Sequence, residues 1–225
     1  MGKILDHTEN YYAALERNAG RAIYLSSEMP FVLAETKKFF NGFQEKRVGE
    51  FKAVLALSTH ESPLELRVQY SGRLQNSGRK TEQSIGRVTL AFESAGRDRN
   101  VLITAIQGKS DEKEKLMEFD AASEKKWSHY LVQTVIDHAY ALGYNNVKLI
   151  RPEMQMTYLK KKNEIKKDTK NLKEDRFDAI GRYNARRRIE SNKRTMDRIK
   201  GLYTDAAESL GFRRTEGSYW VLRMP

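Results

Sequence analysis

The sequence predicts a mixed α/β (α+β) domain: a mostly antiparallel sheet flanked by helices, with an inserted basic helical hairpin. Three observations predict it. Four β-type runs follow one another between residues 50 and 107 with short gaps, which favours an antiparallel meander. A helical period then starts at Trp127 and leads into a short apolar run, Asn146–Ile150, so helices pack on the sheet. Before the last strand lies a segment, residues 155–200, that is poor in apolar side chains and rich in cations.

Each element has its own local reason. Residues 8–18 place Tyr11, Tyr12 and Leu15 on one side of a short helix, and residues 21–26 read as a first strand. Pro30 suits a helix start, and Phe31, Ala34, Phe39 and Phe43 carry that helix to about Phe43. The β-type runs are 50–58, 64–70, 84–93 and 100–107, each rich in β-branched or large apolar residues and bounded by Gly, Pro, Asn or Ser. Trp127, Tyr130, Leu131, Val135, His138, Ala139 and Leu142 recur at helical spacing, and Gly143 stands where a C-terminal cap belongs. In the basic segment Tyr158, Ile165 and Leu172 are seven apart, as are Ile189, Met196 and Tyr203. That spacing gives two helical arms with a thin apolar seam, bending near residues 178–181. The second arm runs on into a helix ending at Leu210, capped by Gly211, and 218–224 is the final strand. The domain is therefore expected to comprise residues 1–154 and 201–225, with the hairpin at 155–200.

Composition narrows the function. The chain has 225 residues, enough for one domain with a buried core. It has no cysteine, which excludes disulfides and cysteine-based metal sites. It has no apolar run long enough to span a membrane, and Met1 to Asn10 lacks an apolar signal core, so the expected location is cytoplasmic. The net charge is +11 and it is concentrated: residues 157–200 hold 16 lysines and arginines against 7 acids, a surplus of 9. Charge of this density attracts nucleic acid or another polyanion. Its densest part is Arg182, Arg186, Arg187 and Arg188 with Lys193, Arg194 and Arg198. Spacings of three and four align several of these on one helical stripe able to follow phosphates. Tyr158, Phe177 and Tyr183 are the aromatics interleaved with them.

Two stretches resemble the Gcn5-related N-acetyltransferase (GNAT) superfamily. Leu131-Val132, then Ala139, Gly143-Tyr144 and Val147-Lys148-Leu149 look like the helix and strand that follow that family's acetyl-CoA loop. Leu210-Gly211-Phe212-Arg213 and Tyr219-Trp220-Val221-Leu222 look like its last helix, Gly-Phe turn and last strand. Together they cover about a quarter of the chain. The resemblance implies a cofactor, acetyl-CoA, whose pantetheine arm pairs with main-chain groups of Ile106, Gln107 and Gly108. It implies a pyrophosphate held at the start of the helix, at Lys125, Lys126, Trp127 and Ser128. Here the family's loop pattern is degenerate: Ser123 stands for Arg or Gln, and Lys126 and Ser128 for the glycines that allow close backbone approach. The family's general-acid tyrosine falls on Ala207, and Tyr203, one turn earlier on the same face, is the candidate catalytic residue.

The remaining signals are weaker. His7, His60, His129 and His138 show no metal-ligand spacing, so no metal is expected. His138 falls on the apolar face of its helix, and His129 is expected to face solvent. Gly86, Gly96 and Gly108 read as strand ends and turns, and no phosphate-binding Walker loop stands out. Two functions remain open. One is an acyl-CoA-dependent N-acetyltransferase or close relative acting on a macromolecular amine, with the hairpin docking the substrate. The other is an inactive GNAT-like scaffold that binds nucleic acid or a ribonucleoprotein through the hairpin.

Overall fold

A computed structural model describes residues 29–57, 62–73, 80–95, 97–174, 176–215 and 217–225. The expected helix at 8–18 and strand at 21–26 lie outside these residues. The described chain is a mixed α/β structure built on an eight-stranded, mostly antiparallel sheet with five α-helices.

The sheet begins as a meander because its loops are short. β1 (Lys46–Val48), β2 (Phe51–Leu57), β3 (Leu64–Arg73), β4 (Lys80–Ala95) and β5 (Asp98–Gly108) are sheet neighbours in chain order, each antiparallel to the next. β1 was not foreseen, since three residues are too few to show a period of two. β6 (Asn146–Ile150) lies parallel to β5, and β8 (Tyr219–Arg223) lies antiparallel to β6, with the two-residue β7 (Arg213–Arg214) at the edge. A parallel pair needs a crossover. Here α2 (Lys113–Ser123) and α3 (Trp127–Ala141) supply it.

Alternation along the strands gives the sheet two unlike faces. Leu64, Leu66 and Val68 of β3, Val88, Leu90 and Phe92 of β4, and Val147 and Leu149 of β6 form the buried apolar face. Against it pack α1 (Met29–Gly42), α2 and α3. Phe39 of α1 meets Phe92 at 5.4 Å between ring centroids, and Phe119 of α2 meets Phe51 at the same separation. The buried stripe of α1 runs through Val32, Glu35, Thr36 and Phe39, and Ala34 faces outward. Glu35 is tolerated there because the Arg99 guanidinium pairs with it from β5.

The basic segment forms two helices, α4 (Met156–Lys173) and α5 (Ala179–Ser209). Asn192 donates to Glu164 at 3.0 Å, and Arg188 grips Asp168 through two bonds of 3.0 Å each. As the α4 position rises by four, its α5 partner falls by four, so the helices run antiparallel. The seam is less apolar than the heptads suggest. Ala185, Asp168 and Asn192 are its buried residues, and buried polar pairs of this kind fix register more than they add stability. α4 ends at Lys173 and α5 begins at Ala179, with Asp178 as the α5 N-cap, accepting the Gly181 N–H at 2.7 Å. Gly181 is thus inside the first turn and not part of the bend.

The C-terminal third of α5 belongs to the main core: Tyr203, Ala206 and Ala207 are buried there, with Ile199 and Leu202 packed alongside. Replacing residues 157–198 with a short Gly-Ser linker therefore keeps these contacts. The expected outcome is a variant that stays soluble and melts cooperatively, because lengthening or shortening a surface connection changes stability only slowly. A molten variant without near-ultraviolet dichroism would place the helix pair within the core.

Candidate functional site

β5 and β6 pair only from Asn100 and Asn146 to Ile103 and Leu149. Beyond Ile103 β5 continues to Gly108, whereas β6 ends at Ile150. The register of β5 against β4 also shifts here, leaving Thr104 as an extra residue. A bulge bends the strand, so the two strands part and β5 presents a main-chain edge.

A side chain occupies that edge. The Ile106 N–H donates to the Tyr203 hydroxyl oxygen at 2.8 Å, and Tyr203 is 1% exposed. Gln107 is engaged too, its side-chain carbonyl accepting two bonds from Arg87 at 3.1 and 2.7 Å. Gly108 lies opposite Gly86 in register, and the Trp127 indole lies across both. A Cβ at Gly86 would come within 2.7 Å of that ring, and one at Gly108 within 3.0 Å. Gly86 and Gly108 form a slot for Trp127; Gly108 does end β5 as expected, whereas Gly86 lies inside β4, so its reading as a strand end or turn is corrected.

The start of α3 is equally filled. Its first N–H, at Trp127, donates to Asp120 Oδ1 at 2.5 Å from the last turn of α2. Burial raises the Asp120 pKa, opposed by this bond and by the charges of Lys126 and His129. Lys126 does not face a free anion site: its Nζ lies 2.6 Å from Asp205 of α5. The same carboxylate oxygen lies 3.0 Å from His129 Nε2. His129 was expected to face solvent, but its side chain is only 14% exposed. The bond to Lys126, followed by the two cations' charges, holds Asp205 below the usual carboxylate range. Ser128 is buried, and Lys125 is exposed.

These residues do not fit the acetyl-CoA implied by the resemblance. A helix N-terminus attracts a pyrophosphate through its free N–H groups and positive dipole end. The Asp120 carboxylate already meets that end here and would repel a second anion. The Ile106 N–H is already bonded, and an indole covers Gly108.

Sequence reasoning missed the other sheet face. Glu65 is fully buried between Arg67 and Arg87, which face each other across β3 and β4. The Ser62, Thr104 and Thr89 hydroxyls form a chain beside them. Glu93 joins Lys148 of β6 and Asn100 of β5. The signal was the alternation Leu-Glu-Leu-Arg-Val at 64–68, whose polar positions share one face.

The seven basic residues proposed to bind nucleic acid do not share one role. Arg187, Arg194 and Arg198 lie on one stripe of α5 with Ser191, bordered by Asn184, Arg188, Glu190 and Thr195. That stripe is opposite the face that buries Ala185 and Asn192. Arg182, Arg186 and Lys193 fall on a flank, and Arg188 is the clamp on Asp168. Among the described residues Arg194 pairs with Glu190 at 3.6 Å, while Arg187 and Arg198 have no carboxylate partner.

His138 is a structural residue. Its Nε2 lies 2.9 Å from the Phe39 carbonyl, and its ring stands edge-on to Phe39 and Phe43. Among the described residues no three His, Asp or Glu side chains are placed to share a metal ion. No described helix is long and apolar enough to cross a membrane. Compared with known proteins, the chain matches no family profile and no curated sequence.

Two outcomes are expected. Calorimetry should detect no acetyl-CoA binding tighter than tens of micromolar, about −6 kcal/mol; a submicromolar constant would mean that Tyr203 and Asp120 yield to the cofactor. Burial, with a smaller push from Lys46 and against the bond to the Phe39 carbonyl, lowers the His138 pKa. The unfolded chain then takes up a proton that the native state resists. Stability linked to His138 is present above its unfolded value of about 6.5 and is lost as pH falls below it. Urea titrations at pH 7.5 and 5.5 should show a smaller loss for His138→Gln than for the parent protein.

Proposed function

We propose that this chain is a binding protein on a GNAT-like scaffold without acyl-transfer chemistry. In this reading it contacts nucleic acid or a ribonucleoprotein through the outer face of α5. The scaffold reading is supported by the parallel β5–β6 pair, its parting after Ile103 beside a bulge, and the return through α5 to an antiparallel β8. The α4–α5 pair is then a basic hairpin inserted between β6 and the last helical turns.

The observation that carries the binding reading is the arginine stripe. Arg187, Arg194 and Arg198 point away from the α4 seam along about 16 Å of helix, at 1.5 Å per residue. Two of the three lack an acidic partner among the described residues. Cations left unpaired on a rigid helix suit a row of phosphates, because neutralising them releases the counterions condensed on the polymer. The competing reading, an N-acetyltransferase acting on a macromolecular amine, has less support, because Tyr203 bonds the Ile106 N–H, Asp120 bonds the first N–H of α3 and Trp127 lies over Gly108.

Changing Arg187, Arg194 and Arg198 to Glu should weaken binding to RNA or DNA at least tenfold at about 0.15 M salt. The thermal midpoint should stay nearly unchanged, since exposed charges contribute little to stability. The parent protein should show log affinity falling with log salt, by about 0.9 per phosphate contacted on duplex DNA and about 0.7 on single strands. Arg188 is left intact because losing its clamp on Asp168 would disturb the helix pair itself. An anisotropy titration in which folded parent protein binds neither polymer would overturn the reading.

A further inference from the structure

The arginine stripe continues toward the N-terminal end of α5 into two exposed apolar side chains. Ile180 is 72% exposed and Tyr183 is 60% exposed. Steps of three and four along the helix place them in line with Arg187, Ser191, Arg194 and Arg198. The Arg187 guanidinium lies 5.7 Å from the centre of the Tyr183 ring. An arginine one turn away that attracts the ring restricts its position while leaving much of its surface to solvent. This end of α5 is the one that follows α4, which ends at Lys173.

Resting on the nucleic-acid reading above, we infer that this stripe takes an unpaired strand, with Tyr183 stacking on an exposed base and the arginines holding the following phosphates. The chemistry separates single strands from duplexes. In a duplex both faces of each base are covered by its neighbours, so a ring on a helix surface meets phosphate and groove edges but no base face. In an unpaired strand the base turns out and offers its π-face to an aromatic side chain, regardless of sequence. Tyrosine suits this role because it has two side-chain torsions to immobilise, and Arg187 already limits them. The distance from Tyr183 to Arg198 is about 22 Å along the helix, room for several nucleotides of an extended strand. The exposed Ile180 beside the ring adds apolar surface that a splayed base covers and a duplex backbone does not.

The test compares single-stranded RNA, single-stranded DNA and the corresponding duplexes against the parent protein, Tyr183→Ala and Tyr183→Phe, by anisotropy at about 0.15 M salt. The parent should prefer single strands. Tyr183→Ala should weaken single-strand binding about tenfold while leaving duplex affinity within twofold, and Tyr183→Phe should retain the preference. The RNA and DNA arms show which sugar is favoured, and either result is consistent with stacking. Binding to single strands and duplexes with equal affinity, or a Tyr183→Ala change that moves neither, overturns this inference and leaves the arginine reading standing. Loss of both affinities together in Tyr183→Ala also overturns it, since that points to a helix-tip effect rather than to stacking. Failure of the parent to bind any polymer overturns both readings.

Discussion

The bond from the Ile106 N–H to the Tyr203 hydroxyl joins the two halves of this structure. A bulged β5 that parts from β6 has an unsatisfied main-chain edge in a buried place, and leaving such a group without a partner costs a few kcal/mol. Tyr203 satisfies it from 97 residues away in the sequence. With its hydroxyl fixed at the edge and Ala206 and Ala207 packed against the core, α5 has one position on the sheet. The rest of α5, and therefore the arginine stripe and α4, takes its direction from that anchor. Asp205, half-exposed on the same helix, ties it to Lys126 and His129 at the start of α3.

The strands were legible because each run is rich in β-branched or large apolar residues and is bounded by turn residues, even where, as in β5, the side chains do not alternate strictly. β6 coincides with its sequence-based span, and the helix from Met29 ends within a residue of the expected Phe43. α2 was not legible. Its one fully buried side chain is Phe119, with Leu116 half-buried beside it and Met117 exposed to solvent, too few apolar positions in eleven residues to show a clear helical stripe. What local pattern cannot supply is pairing between distant segments. Nothing in the run Arg186-Arg187-Arg188 distinguishes a surface cation from the one that clamps Asp168 twenty positions away. For the same reason His129 reads as exposed until Asp205 is brought to it. The degenerate loop was legible at Lys126 and Ser128, but not that Asp120 would cap the helix in its place.

The helix pair shows how a charged segment stays ordered with few apolar side chains. Lysines and arginines face outward, and the seam is closed by Asn192 on Glu164 and Arg188 on Asp168. Sliding one helix by a turn would leave Asp168 buried opposite the wrong side chain, so the clasp sets the register. That register turns Arg187, Arg194 and Arg198 outward together, since all three lie on the face opposite Ala185 and Asn192.

The slot formed by Gly86 and Gly108 under Trp127 has a consequence for divergence. The two glycines sit on neighbouring strands and share one ring, so the volume of the three positions is held in common. A methyl group at either glycine needs a smaller or displaced ring above it. A smaller ring opens a void that a side chain at Gly86 or Gly108 could fill. Related sequences should therefore exchange these positions as a set, carrying either a large aromatic over two glycines or a small side chain over alanine or serine, with intermediate combinations rare.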